Sequence, residues 1–494
     1  MPYPKFVPLA LCAVSIAAAG GCRTIQAPST YHEEWSVPEW EKSTVLPDKK
    51  WQEIRNDPYD TSKPLTPAQL IDIALANNPD TQKMWNDARA AEARMRQAKG
   101  AYAPRINAVS QLTRQRVGST NEYYNNDYLQ FGPQLQATYL LFDLGGRDGT
   151  VEAATQNLLA TNFQFNRSLQ DLIFNVADAY YSLYSAHALV EAAEADVRDT
   201  KTSFDAATAK LTAGLVTKLD VLQAQSQYQT SLYNLEAAQL TVKNAQANLA
   251  KVLRWPADKH FEIVTPRLNV EDDISKENIS VLIDEALKTR PDIAAARAQV
   301  QAKAAAVKVA NSDIWPSLNL GTSYNANLNK YYFTDAVENY GNDHTVNGFL
   351  SVNWAVFDGL ANINKKRAAQ ADLEAARQAL IRAEVDASAD VWNKYNAYKT
   401  AVSKLKDSEA LLQTATESHA LATEGYGAGL KSILDVLQAQ SSLSSARSKV
   451  VQSRRDVFVS MADLARSVGW LTTKEAKRVV NARAQGQQAN VRGP

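Results

Sequence analysis

The strongest constraint on what this chain folds into is that it is written twice. Leu219-Asp220-Val221-Leu222-Gln223-Ala224-Gln225-Ser226 reappears unchanged as Leu434-Asp435-Val436-Leu437-Gln438-Ala439-Gln440-Ser441. Around this block the echo continues more loosely. Ala74-Leu75-Ala76-Asn77-Asn78-Pro79-Asp80 answers Ala286-Leu287-Lys288-Thr289-Arg290-Pro291-Asp292, and Pro104 answers Pro316. Phe142-Asp143-Leu144-Gly145 is matched by Phe357-Asp358-Gly359-Leu360, and each half closes on a tryptophan, Trp255 or Trp470. The offset stays between 212 and 215. A repeat that long is a duplicated domain-sized unit rather than a solenoid turn. It divides the chain into a leader (1–21), an N-terminal segment (22–64), a first unit (65–255), a linker (256–279), a second unit (280–470) and a tail (471–494).

Within each unit the hydrophobic period changes twice. Thr66 to Gly100 reads as helix, with Pro67 tolerated in the first turn and Pro79 marking a break. Strands are expected at about 105–117 and 128–142, where the period becomes two: Leu129, Phe131, Leu135, Ala137, Tyr139 and Leu141 face one way, and Gln130, Gln134, Gln136 and Thr138 the other. The second unit repeats the alternation at about 317–329 and 346–357. There Leu318, Leu320, Tyr324, Ala326 and Leu328 oppose Asn319, Ser323, Asn325 and Asn327, and Val346, Leu350, Val352, Trp354 and Val356 form a further apolar row. Strands of this length cross a bilayer, and an Asn/Gln/Ser face suits a wet lumen. A half-buried soluble sheet alternates in the same way.

After Gly145-Gly146 the helical period returns. Phe165, Leu169, Leu172, Val176, Ala179, Leu183, Ala186, Val190, Ala193 and Val197 step by four and three, a coiled-coil seam. At 1.5 Å per residue the helix from Arg147 to about Leu211 spans roughly 95 Å. The helices Leu219 to Leu253 and Thr66 to Gly100 reach about 50 Å each, so two short helices end to end match one long one. The long helix therefore runs to a distal turn at Gly214, and a shorter one returns half way.

Four membrane-length strands per chain leave two sheet edges bare, and in lipid each bare N–H or C=O costs several kcal/mol. The sheet must close with other copies. Eight strands fill their own interior with side chains, whereas twelve leave room for a pore, so a polar lumen face selects three copies, with a dimer formally open. The expected fold is thus mainly α with a membrane β-barrel portion: a trimer closing a twelve-stranded barrel above a long α-helical tunnel.

The N-terminus carries an address. Lys5 precedes an apolar stretch from Phe6 to Ala19 that runs into Gly20-Gly21-Cys22, a secretory signal peptide ending in small residues before a cysteine. That ending resembles a bacterial lipobox, with Cys22 as the lipidated first residue of the mature chain; Ala19 stands where Leu is usual. An ordinary signal peptide with a stray cysteine is the alternative. Cys12 and Cys22 are the only cysteines, so the mature chain has no disulfide and no thiolate metal site. Arg23 follows the cysteine rather than Asp, which by resemblance to such lipoproteins favours the outer membrane. Lysine plus arginine and aspartate plus glutamate are balanced at 53 each, which gives no electrostatic footprint for nucleic acid.

Taken together, the duplicated unit and the tip motif resemble the outer membrane efflux protein family, the TolC-like channels, and the lipobox makes the chain similar to the lipoprotein branch serving multidrug and metal efflux pumps. The match runs from about Leu65 to Trp470 in both units. Its most specific part is Gly-x-x-[Ser/Thr]-x-x-Asp-Val-Leu-x-Ala-Gln, read from Gly214-Leu215-Val216-Thr217 and from Gly429-Leu430-Lys431-Ser432. The resemblance implies a passive conduit in the outer membrane, working with an inner-membrane pump and a periplasmic adaptor. The turns at Gly214, Leu215, Val216, Thr217, Gly429, Leu430 and Ser432 would dock that adaptor. It also implies a constriction lined by Asp435 and Gln438, the latter neutral where the family has an acid. A resting clamp would join Tyr426 and Lys431 of the second unit to Asp220 of the first. Asp220 and Asp435 equally suit helix N-termini after a glycine turn.

No catalytic constellation stands out. His32, His187, His260, His344 and His419 lack ligand spacing, and Gly425-Tyr426-Gly427-Ala428-Gly429 follows a helix and lacks the spacing of a nucleotide loop. An enzyme, a metal site and a cofactor other than the lipid are not expected. The N-terminal segment, with Trp35, Trp40 and Trp51, is expected to wrap the tunnel waist, and Tyr123, Tyr124, Tyr331, Tyr332 and Phe333 to lie in outer-surface turns or an interfacial girdle. Two alternatives remain: a non-conducting coiled-coil scaffold lipoprotein, which has no need for a repeated strand pair, and a channel serving polypeptide secretion.

Overall fold

The computed structural model of the protein describes residues 63–117, 126–265, 278–332 and 338–471. The leader, Cys22, the tryptophan-rich N-terminal segment, the tail, Tyr123, Tyr124, Phe333 and the side chains of Tyr331 and Tyr332 lie outside the described residues. In chain order the elements are α1 (Pro67–Asn77), α2 (Pro79–Lys99), β1 (Arg105–Val117), β2 (Asn126–Phe142), α3 (Gly146–Thr212) and α4 (Lys218–Leu253). The second unit supplies α5 (Ile279–Thr289), α6 (Pro291–Ser312), β3 (Ser317–Tyr332), β4 (Glu338–Asn353), α7 (Ala361–Gly427) and α8 (Ile433–Val468). The duplication is exact in the long helices: α3 and α7 have 67 residues each, and α4 and α8 have 36 each.

Local chemistry sets the boundaries. Thr66 and Gln69 form a capping box at the start of α1, with Pro67 in the first turn. Pro79 then opens α2 after Asn78, whose side chain accepts from the amides of Asp80 at 2.8 Å and Thr81 at 3.3 Å. The second unit keeps the proline but not the cap. Arg290 replaces Asn78, and its buried guanidinium bridges Asp292 at 2.7 Å and Asp390 at 2.9 Å while donating to the Ser467 carbonyl. Neither 67-residue helix contains a proline, so each runs about 100 Å unbroken.

The four strands form one antiparallel sheet in the order β1-β2-β3-β4. Its register puts Leu112 opposite Phe131, Phe131 opposite Leu328, Tyr324 opposite Val346 and Leu320 opposite Leu350, which gathers an exposed apolar face. Gln134 opposite Asn325 and Gln136 opposite Ser323 build the polar face. The expected strand at 346–357 is displaced: β4 spans 338–353, so Trp354 and Val356 lie beyond it. The ladder ends there because Asn353 pairs with Ser317, the first residue of β3 after Pro316, and no partner strand continues. At its other end β4 starts early because β3 continues to Tyr332 rather than to 329. Trp354 instead donates its indole N–H to the Ile314 carbonyl at 3.1 Å.

Strand turns to helix at two left-handed residues in each unit, Leu144-Gly145 and Gly359-Leu360, with the glycine in opposite order. Asp143 and Asp358 close these corners by accepting from the amides of Arg147 at 2.6 Å and Asn362 at 2.8 Å. Both units then pack by one scheme. The long helix carries the outer short helix on its distal half (α4 on α3, α8 on α7) and a proximal short helix on the other (α2 and α6 beside α3, α6 beside α7). Their mid-length cores correspond position by position. Leu70, Val176, Leu183, Leu249 and Leu253 are buried in the first unit, and Leu282, Val391, Tyr398, Leu464 and Val468 in the second. Each aliphatic side chain contributes about 1.5–3 kcal/mol by burial. Every residue of the expected α3 seam is buried or half-buried.

Close approach of α3 and α6 depends on small residues. A Cβ at Gly149 would fall 2.9 Å from Val309 Cγ2 and 3.0 Å from the Ala305 carbonyl oxygen. Gly149→Leu is therefore expected to destabilise the fold by at least about 1–3 kcal/mol through overpacking, read as a lower thermal midpoint by circular dichroism.

Candidate functional site

The turns at the distal ends of α3 and α7 lead directly into the eight-residue block that is identical in the two units, at the starts of α4 and α8. Gly214 and Gly429 adopt φ of +74° and +79°, a conformation that a side chain disfavours. Backbone bonds wrap around them: Leu215 N–H donates to the Lys210 carbonyl at 2.9 Å and Leu430 N–H to that of Gly425 at 2.7 Å. The helices then restart on paired capping boxes. Asp220 Oδ2 accepts from the Thr217 amide and hydroxyl, both at 2.8 Å, and Asp435 Oδ2 accepts from those of Ser432 at 2.9 and 2.8 Å. The Ser432 amide and hydroxyl hold the Asp435 carboxyl below its ordinary range, with a smaller contribution from Lys431.

The turns present leucines to solvent. Leu215 and Leu430 are 72% and 82% exposed, and Leu219 and Leu434 follow on the first turns of α4 and α8. Val216 is half-buried and Thr217 and Ser432 are exposed. Asp435 and Gln438, three residues apart on α8, both face solvent. Beneath them a small core joins the two units: Ala207 of α3, Ala224 of α4, Tyr426 of α7, and Ile433 and Val436 of α8.

The residues expected to clamp the tips are brought close but are otherwise engaged. Tyr426 is buried with its hydroxyl unpartnered, and burial followed by the nearby Asp220 charge pushes that hydroxyl up from its ordinary value. Asp220 is occupied by its own capping box. Among the described residues Lys431 forms no ion pair with Asp220; its aliphatic stem lies where a Cβ on Gly425 would meet Cγ at 2.7 Å. The link between the units comes instead from Lys210, whose ammonium donates to the Tyr426 carbonyl and sits 4.0 Å from the centroid of the Tyr426 ring. Sequence reasoning missed Lys210; its counterpart in the second unit is Gly425, and that break in the repeat is the one signal that could have pointed to it.

Higher up, a polar cluster locks α3 to α8. Arg447 donates to Asp196 at 2.6 Å and Asp199 at 2.9 Å. His419 of α7 lies beside this group with Nε2 enclosed and unpartnered; its pKa is lowered mainly by desolvation, with Asp199 and Asp196 opposing and Arg447 reinforcing the shift. Gln440 is buried nearby in sequence, on α8, although its counterpart Gln225 is exposed.

With this geometry the comparisons with known proteins agree. Residues 70–253 and 282–470 match the outer membrane efflux protein family, one segment per unit. The chain belongs to that family. It is 26% identical over 397 residues to Protein CyaE of Bordetella pertussis, covering 80% of this chain and 82% of that one. It is also 26% identical to the outer membrane efflux protein BepC of Brucella suis, covering 76% and 79%, and 22% identical to TolC of Escherichia coli, covering 85% and 86%. Among solved structures, CusC superposes with a TM-score of 0.71 at 20% identity, covering 82% of this chain and 92% of that one. The open-state MtrE channel of Neisseria gonorrhoeae gives 0.67 at 21% identity, covering 82% and 88%. Among the described residues no helix is long and apolar enough to cross a membrane, and no group of metal-ligating side chains forms.

Because the folded state disfavours the His419 cation, it binds fewer protons than the unfolded chain. The contribution of this group to stability is therefore present above the unfolded histidine pKa near ~6.5 and is lost as pH falls below it. His419→Gln is expected to flatten the dependence of the unfolding midpoint on pH between about 7 and 5, measured by thermal melts across that range.

Proposed function

We propose that the protein is the outer-membrane channel subunit of a tripartite efflux system, a passive trimeric conduit from periplasm to exterior with a gated periplasmic tip. The observation that carries this reading is the four-stranded sheet. One face is exposed and apolar, the other is mostly Asn, Gln, Ser and Thr with Val109 and Phe349 among them, and β1 and β4 are paired on one side only. Such a sheet is stable in lipid only when its edges are closed, and three copies of four strands give a twelve-stranded barrel with a wet interior. Family membership supports the outer-membrane location and the trimer. A lipid on Cys22 anchors each copy to the same membrane, as the residues before it suggest.

In this reading the chain supplies the passage and a partner supplies the energy. An inner-membrane pump hands cargo to the tunnel, and a periplasmic adaptor meets the exposed leucines at Leu215 and Leu430, where apolar surface awaits a cover. Asp435 and Gln438 face the constriction as a weak acidic ring. The tips rest closed because Lys210 and the Tyr426 cluster tie the two units together, and a few contacts of about 1 kcal/mol each are enough to bias a two-state helix pair. Tyr426, Asp220 and Lys431 lie within this joint and tune it.

Single-channel recording in a planar bilayer tests the proposal. Wild type is expected to give small, flickering conductance steps. Steps that grow in an Asp220→Ala, Tyr426→Phe double variant and in Lys210→Ala would support a restrained tip. Large wild-type steps unchanged by any of these would remove the gate and keep the pore. No conductance from inserted, correctly assembled protein would sink the channel itself in favour of a scaffold.

A further inference from the structure

The register of the sheet sorts its cations as well as its leucines. Leu112, Phe131 and Leu328 stand opposite one another on the apolar face, toward the end far from the helices, where β4 contributes Asn342. Two residues further along β1 and β3 stand Arg114 and Lys330, with Leu129 between them on β2. Side chains alternate along a strand, so these two cations share the face of Leu112 and Leu328. Arg114 is exposed and Lys330 half-buried. The row of Arg114, Leu129, Lys330 and Tyr340 holds no acidic residue, whereas in the next row Arg116 stands opposite Asp127.

Strand geometry gives their depth. From Leu318, at the helix end of β3, to Leu328 the strand advances about 34 Å along its own axis and about 26 Å along a membrane normal at a tilt near 40°. That is the height of the apolar band of a transmembrane barrel, about 25 Å. Arg114 and Lys330 therefore lie on the rim of the band rather than within it. At the opposite rim the corresponding row is Phe142, Leu318 and Val352, which holds no cation. Snorkelling to water would serve equally at both rims, so a pair confined to one of them answers to a difference between the two leaflets. On the other face of the sheet, near the same level, Asn329 donates to Asp343 at 2.9 Å. Positive charge is thus turned outward and negative charge toward the lumen.

Resting on the outer-membrane channel reading above, which sets the hairpin ends of the sheet outermost, we propose that Arg114 and Lys330 form a binding site for the phosphorylated headgroup of an anionic lipid in the outer leaflet. One strand separates the two, so their Cα atoms are about 10 Å apart and both long side chains reach a single phosphate between them. The guanidinium fork matches phosphate oxygens two at a time, and the lysine adds a point charge. The acyl chains of the same lipid then lie against Leu112, Phe131 and Leu328, which continue the apolar face below the headgroup. Each copy carries the complete site, because both cations belong to one chain.

Native mass spectrometry of the full-length protein in detergent, titrated with lipid A, tests the site. Wild type is expected to retain lipid A in preference to phosphatidylethanolamine. Arg114→Gln with Lys330→Gln is expected to weaken that retention about 30-fold, as removal of two cations from a lipid surface implies, with the oligomer intact in the same spectra. Should the double variant not assemble, either single variant gives the same readout at about 5-fold. Arg114→Lys with Lys330→Arg keeps the charge and should keep most of the binding. Arg105→Gln removes a cation from the lumen face, in the row of Thr138, and should leave retention unchanged. Equal retention by wild type and the glutamine variants would overturn the site, as would equal retention of lipid A and a form stripped of its phosphates. Wild type that conducts in a planar bilayer but shows no preference for lipid A sinks this site alone. Inserted, assembled wild type that does not conduct sinks the channel reading and the site with it.

Discussion

A backbone amide or carbonyl in hydrocarbon has no water to bond to, and the cost of several kcal/mol per group leaves a four-stranded sheet no stable way to sit alone in a bilayer. Most of what is particular about this chain follows from that. The sheet has edges at β1 and β4, and its apolar and polar faces are segregated by register. The proposed barrel satisfies the edges by adding copies. Once strands are shared among copies, the helices that leave the sheet at Gly145 and Leu360 must also run side by side around a common axis.

The long helices then need a reason to stay straight and parallel over about 100 Å. Proline is absent from both, small residues let α6 approach α3, and the mid-length cores pin each unit where its two short helices meet. Toward the tips the packing changes character. The seam that is Leu172, Val176 and Leu183 near the middle gives way to Asp196, Thr200 and Ser203, with Thr200 and Ser231 hydroxyls 2.7 Å apart between α3 and α4. A junction held by hydrogen bonds and ion pairs is directional and has discrete alternatives, which suits an element proposed to move more than a greasy seam does.

Asymmetry between the units is concentrated where function is proposed. The capping boxes at Thr217 and Ser432 are equivalent, but Lys210 stands opposite Gly425, Leu211 opposite Tyr426, and Gln440 is enclosed where Gln225 is exposed. A strict repeat would give six identical helical pairs in a trimer. These differences make the second unit's tip dependent on the first, through one lysine and one tyrosine.

The repeat, the period changes and the punctuation by Pro79, Gly214, Pro291 and Gly429 were enough by themselves to determine the order, type and approximate length of the elements, because each rests on contacts within a few residues. The same local information marked Asp220 and Asp435 as N-terminal helix acids. It could not place the end of β4, since Trp354 and Val356 continue the alternation perfectly well and only the absence of a partner beyond Ser317 stops the strand. Nor could it show that Lys210 meets Tyr426, 216 residues away, or that Arg447 gathers Asp196 and Asp199. Those pairings arise from which face of a long helix meets which neighbour. That is a matter of helix rotation and depth of packing, decided only when both units fold against each other.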